Sequence, residues 1–351
     1  MDVAKFVQAM PKVELNVRLE GAFNLETLLT IAEENDIPTT MKKYRTFVDQ
    51  LKRPDTHRLD DLLQTVLKWM SYPDDITRLV YDVGVYLHKQ NVRYAEVNVT
   101  PLLSSLPGQT FEQYLEALND GRSRVERGWG VKMAWVFTVP RNEPRYADET
   151  SRWTASTNAR KNHVVGFGVI GPEKSQPSGQ FERAFTTAHK KTVPTVIQAG
   201  DALGGEGVLD VLNHLAPSRI IDGWGTVDAP DVLDKLSQQE VPLVVSMARA
   251  LSLNWTSSYA TYPLRRLYDE NVKVVLSADM PTFFHSTLND EYVAAVEHGG
   301  LTLAELEEVA LNAVRYSQLP EDEKDALITE FELTYQVLRE EAQETPDEQV
   351  G

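Results

Sequence analysis

The chain contains no cysteine. Disulfides, thiolate metal ligands and a cysteine nucleophile are therefore excluded. Histidine is sparse too. The seven are His57, His88, His163, His189, His214, His285 and His298, and no two lie within four residues of each other. A catalytic zinc site usually draws on three protein ligands, and this scatter offers no compact histidine set for one. Positive charge is in deficit, with 35 Lys and Arg against 52 Asp and Glu and a net charge of −17. Phosphate backbones would be repelled, so nucleic acid is not an expected partner. No apolar run approaches the length of a membrane span. The opening MDVAKFVQAM lacks the apolar stretch of a secretory signal. A cytoplasmic protein without a membrane partner is expected.

What is present is a regular alternation. Short β-rich runs recur at Val13–Leu19, Val92–Val99, Val131–Val139, Val164–Ile170, Val193–Ala199, Arg219–Trp224, Val241–Ala248 and Val272–Ala278. Helix-like stretches such as Leu25–Asn35, Phe111–Arg127, Phe181–Lys190 and Pro230–Gln238 lie between them. Strand and helix in alternation imply parallel βαβ units. Eight such units predict a closed (β/α)8 barrel. The alternative, an open doubly wound sheet, is disfavoured because no glycine-rich phosphate loop follows the first run. Extra helices are expected after the first strand, within 41–90, over the barrel mouth. More are expected from Thr302 to about Glu341. The expected organisation is one domain over 1–343, followed by a polar tail over 344–351.

Strand side chains alternate between two faces. In the first run Val13, Leu15, Val17 and Leu19 should face the helices, leaving Glu14, Asn16 and Arg18 inward. In the second, Ala95, Val97 and Val99 face outward, and Tyr94, Glu96 and Asn98 inward. Active sites of such barrels form at the C-terminal ends of the strands. Arg18, Glu20, Asn98, Arg141, Gln198, Asp201, Trp224, Arg249 and Asp279 should gather there, with Arg141 as a solvated rim charge. Only His285, in the loop after the last strand, falls near this mouth.

Several segments resemble the adenosine deaminase family. PKVELNVRLEGAFNLETLL is similar to the family's opening, which leads into His-x-His-Leu-Asp-Gly. YAEVNVTP resembles its second strand, and GFGVIGPE its Gly-Phe-Asp-Leu-x-Gly-x-Glu stretch. VIQAGD stands where the family has His-Ala-Gly-Glu, and IDGWG where it has Ile-Gly-His-Gly. SADMP, followed by LNDEY, stands where it has Thr-Asp-Asp-Pro and a later Glu-Tyr. The matches run in order from Pro11 to Asn312.

The resemblance implies a zinc hydrolase, yet the departures fall on the chemistry. By this correspondence the family's four zinc positions are Asn16, Arg18, Gln198 and Asp279, and only the aspartate is kept. The proton-transferring glutamate becomes Asp201 and the hydroxide-orienting histidine Trp224. The purine-contacting aspartate becomes Met280 and the ribose-contacting one Glu20. Gly171 keeps the glycine whose backbone meets the purine. Ser246–Ala250, with Arg249, replaces a Cys-Pro-Thr-Ser-Asn loop. Asn and Gln are weak ligands and Arg binds no cation, so neither metal nor another cofactor is expected.

The resulting expectation is a metal-independent enzyme acting on a small polar or nucleoside-like substrate. Asp201, Asp279 and Arg18 would be catalytic, with Arg18 pairing both aspartates. Asn16, Glu20, Asn98, Gly171, Gln198, Trp224 and Arg249 would bind the substrate. Arg18, with Arg249, is also suited to an anionic group on a ligand. The alternatives are a ligand-binding protein without catalysis, a barrel kept only as a structural scaffold and, least expected, a surviving zinc-dependent adenosine deaminase. Trp224 would either stack on a planar ligand or fill the space vacated by zinc and histidine.

Overall fold

The computed structural model describes residues 2–38, 42–52 and 59–344. His57 and the tail beyond Glu344 lie outside these residues. Eight strands form one sheet with neighbours in sequence order. They are β1 Lys12–Arg18, β2 Val92–Val99, β3 Lys132–Pro140, β4 Val164–Ile170, β5 Thr195–Ala199, β6 Arg219–Asp222, β7 Leu243–Val245 and β8 Val274–Leu276. Every ladder is parallel. The last strand returns to the first. Arg18 N–H donates to the Asp279 carbonyl at 2.9 Å, and Ala278 N–H donates to Glu14 Oε2 at 3.1 Å. This is a (β/α)8 barrel.

The alternation read from the strands sets its layers. Val13, Leu15, Val17, Leu19, Ala95, Val97 and Val99 are buried in the main apolar core shared with the helices. A second, small apolar cluster joins Val136, Ile170, Val196 and Ile221 from four consecutive strands. Several inward polar side chains are held by hydrogen bonds or ion pairs, as low-dielectric burial requires. Arg219 of β6 meets Glu96 of β2 across the barrel at 2.5 Å. Glu14, also inward, accepts Asn16 N–H at 3.0 Å as well as the bond from Ala278.

The last three strands stop earlier than their β-rich runs suggest. β6 ends at Asp222, whose φ is +72°, and Gly223 follows at +73°. Trp224 then opens a short 3-10 helix, Trp224–Asp228. β7 ends because Ser246 caps a helix, Met247–Ser252, its hydroxyl accepting Arg249 N–H at 3.1 Å. After β8 the chain turns at Asp279, φ +54°. Side-chain caps and left-handed residues end the strands where apolar content alone would extend them.

Before β2 lie helices Leu25–Glu34, Lys42–Lys52, Leu59–Trp69 and Pro73–Lys89. Leu303–Arg315 and Glu321–Glu344 complete the shell after β8.

Candidate active site

Arg249 sits in the first turn of the helix that Ser246 caps, and its side chain is 7% exposed. Three carboxylates surround its guanidinium. Asp222 Oδ2 lies 3.2 Å from Nε, Asp279 Oδ2 3.4 Å from Nη1 and Asp201 Oδ2 3.7 Å from Nη2. The aspartates come from the ends of β5, β6 and β8. The guanidinium also lies 5.2 Å from the ring centre of Trp255 and 5.8 Å from that of Phe284. Burial lowers the proton affinity of Arg249, but Asp222, Asp279 and Asp201 together more than offset this and raise it. Burial pushes Asp222 up to about 7. Arg249 opposes that shift, and the Asp201 and Asp279 charges add to it.

The expected pairing therefore needs a correction: Arg249, not Arg18, holds Asp201 and Asp279. Residue types and strand ends do not reveal which arginine wins. The Ser246 cap decides it by aiming residue 249 at the aspartates. Arg18 is half-buried, its Nε is buried without a partner, and it joins no ion pair among the described residues.

Gln198 ties the neighbouring loops together. Its Nε2 donates to Asp201 Oδ2 at 3.2 Å, and its Oε1 accepts Gly171 N–H at 3.0 Å. The Gly171 N–H, expected to face a ligand, is thus committed to Gln198. Arg141 is not a solvated rim charge. It is 2% exposed and donates to the carbonyls of Gln176 and Gln198 and to Ser178 Oγ. Burial lowers its proton affinity.

A cavity of about 300 Å³ opens beside this cluster. Arg18, Gly171, Gln198, Asp201 and Arg249 line it, with Glu173, Lys174, Trp255 and Leu59. Arg18, Gly171 and Pro172 also border a second cavity of about 110 Å³, which reaches Leu63, Gln64, Thr100 and Asn142. Wider clefts elsewhere are lined by helices of the shell and their connections, not by strand ends. Asn16, Glu20 and Asn98 are buried in the barrel end. Asn98 Nδ2 donates to Asn16 Oδ1 at 2.6 Å. Glu20 Oε1 accepts Thr100 N–H at 2.8 Å. Glu20 Oε2, Asn98 Oδ1 and Asp279 Oδ1 are buried without partners. Trp224 packs beside Trp255 and Tyr262, ring centres 6.3 and 6.0 Å away, and does not line either cavity. His285 is exposed.

Three residues at the site were not singled out from the sequence. Asp222 was hidden inside a β-rich run read through to Trp224. Trp255 comes from a loop with no motif. Glu173 is the last residue of the GFGVIGPE match. Its carboxylate accepts the N–H groups of Gly200, Ala202 and Leu203 at 2.8, 3.1 and 2.9 Å. Burial raises its pKa, the Gly200 bond opposes the shift, and the adjacent Asp201 carboxyl reinforces it.

With this geometry in view, comparison with known proteins decides the family. The adenosine deaminase family model matches residues 11–333. The chain belongs to the adenosine deaminase family. It is 28% identical over 338 residues to an aminodeoxyfutalosine deaminase of Streptomyces avermitilis, covering 94% of this chain and 93% of the relative. It is 26% identical over 331 residues to an adenine deaminase of Sinorhizobium fredii, covering 91% and 97%. The crystal structure of adenine deaminase from Arthrobacter aurescens superposes with a TM-score of 0.84 at 22% identity, covering 92% of this chain and 98% of that one. That likeness concerns the fold.

The family resemblance implies zinc, and the residues at this mouth do not fit it. A guanidinium stands among the aspartates, where a divalent cation would be repelled. Among the described residues, no group of three or more histidine, aspartate or glutamate side chains is arranged to hold a metal ion.

Proposed function

We propose that this protein is a metal-independent member of the adenosine deaminase family that binds a small, nucleoside-like molecule in the barrel mouth. The observation that carries the reading is the Arg249 cage. A fixed cation offsets part of the negative charge of Asp201, Asp222 and Asp279. Zinc-activated hydroxide needs an open metal position with nitrogen or oxygen donors, and a guanidinium held among these aspartates is not such a donor set. The adjoining cavity of about 300 Å³ is at the lower end of the range for small-ligand sites. Relatives named for adenine and aminodeoxyfutalosine deamination support a nucleobase or nucleoside as the ligand class. Calorimetric titration with adenosine, after dialysis against a chelator, tests this. Binding that survives chelation is expected. Binding abolished by chelation and restored by zinc would overturn the metal-independent reading.

A second reading is favoured by the Asp201–Glu173 pair. Both carboxyls line the cavity, and burial, reinforced by the adjacent Asp201 carboxyl, raises the Glu173 pKa. A carboxyl of raised pKa beside a second carboxyl suits acid–base turnover. In that reading Asp201 touches the substrate and transfers a proton. An Asp201→Asn variant should then lose turnover of a substrate the wild type converts. Unchanged turnover would remove Asp201 from the role.

A further inference from the structure

Among the described residues of the mouth, every charged group that is not exposed has a partner of its own, with one exception. Arg249 is held by three aspartates. Glu173 caps three backbone amides. Asp201 accepts from Gln198 and faces Arg249. Glu143, at the smaller cavity, pairs with Arg145 at 3.0 Å. Arg18 is the exception. Its Nε is buried without a hydrogen-bond partner, and it borders both cavities where they share Gly171 and Pro172. A guanidinium cannot shed its charge by losing a proton, so a buried donor of this kind stays costly until an acceptor arrives. Uncommitted acceptors lie on residues at the same barrel end. Arg18 is in register with Asn98 on β2, and its N–H bonds the Asp279 carbonyl from β8. Asn98 Oδ1 and Asp279 Oδ1 nevertheless remain buried and unpaired, as does Glu20 Oε2. The barrel end therefore presents one cationic donor and several acceptors that await hydrogen-bond donors. Lys174 adds an exposed positive charge at the lining of the larger cavity.

We propose that Arg18 anchors an oxyanion, a carboxylate or a phosphate ester, carried by the ligand at the junction of the two cavities. The polar hydrogens of the ligand's hydroxyl or amine groups would face the acceptors on Glu20, Asn98 and Asp279. This rests on the reading of the mouth as a small-ligand site, and adds the charge of that ligand. The two cavities together suit a nucleoside body in the larger space and a substituent toward the smaller.

The test is isothermal titration of the purified full chain with adenosine, adenosine 5′-monophosphate, adenosine 5′-carboxylic acid and inorganic phosphate. Each is repeated with Arg18→Gln and Arg18→Lys. At least one charged nucleoside should bind roughly tenfold to hundredfold more tightly than adenosine, the range of a charge-assisted hydrogen bond. Which one does so identifies the oxyanion. Arg18→Gln should bring the ratio to about one, and Arg18→Lys should restore part of it. Circular dichroism and melting of both variants check that they fold. If Arg18→Gln does not fold, the Arg18→Lys ratio decides alone, and an undiminished ratio overturns the proposal. Adenosine binding without any preference for charge overturns the Arg18 assignment and leaves the nucleoside reading standing. Phosphate binding that depends on Arg18, without adenosine binding, upholds the assignment and overturns the nucleoside reading. No binding by any probe overturns both.

Discussion

At the scale of single residues the decisive contact is Arg249 with its three aspartates. Removing one member of a buried ionic group strands the others. Arg249→Met should therefore destabilise the protein by about 3–5 kcal/mol at pH 8, measured by urea denaturation. The loss should shrink toward about pH 5, where the stranded aspartates take up protons and shed their repulsion. A loss below about 1 kcal/mol, unaffected by pH, would mean that the cage is a surface-like pair of little worth. The contents of this site were partly legible in the chain. Arg18, Gln198 and Asp279 could be placed at the strand ends, and Asn16 inside the barrel, by alternation and motif order. The partner of each could not, because that depends on local geometry. Ser246 fixes the start of a helix, that start fixes where Arg249 points, and Arg18 on β1 joins no ion pair among the described residues. Gln198 shows the same limit. Its identity was evident, but its two bonds to Gly171 and Asp201 follow from loop positions that a strand pattern does not encode.

At the scale of elements, the strand–helix alternation located all eight strands, while three of their ends were overrun. Val241–Ala248 reads as one β-rich segment, yet only Leu243–Val245 is strand. A side-chain cap and positive φ angles turn the chain sooner, and these break the pattern without lowering apolar content. The turn after β5 depends on such a residue. Gly200 has φ +82°, and a methyl group there would lie 2.5 Å from Val208 Cγ2 and 2.7 Å from Gly223 Cα. Gly200→Ala should cost about 1–3 kcal/mol through strain and crowding, read as a lower melting temperature. It should also disturb Asp201, the next residue. A melting temperature equal to the wild type's would show that the turn yields easily.

At the scale of the whole molecule, burial of carboxyls sets the pH response. Glu14 and Glu291 are pushed up to about 7, mainly by burial and despite hydrogen bonds that favour ionisation. Asp222 rises to about 7 as well. The folded chain keeps protons that the unfolded chain gives up near 4.5 for glutamate. Their contribution to stability is thus full below that value and is lost as pH rises through about 7. Lys12, lowered to about 7 by burial and by Arg93, acts in a higher window, where stability grows as pH rises toward 10.5. Urea denaturation at about pH 5 and about pH 7 should show a smaller fall for Glu291→Gln than for the wild type. An equal fall would place the response elsewhere. Glu14 lies on β1 and Asp222 on β6, and Glu291, on the helix Leu288–Glu297, accepts from Ser246, Met247 and Ala248 after β7, so this response and the site share one framework.

The central claim is that Arg249 occupies the electrostatic role a metal ion would otherwise fill at the mouth. Elemental analysis of the purified protein, after incubation with excess zinc and removal of unbound ion, tests it most directly. The account predicts zinc far below one ion per chain, with the wild-type melting temperature unchanged. About one zinc per chain, the stoichiometry of an intact mononuclear site, would contradict it.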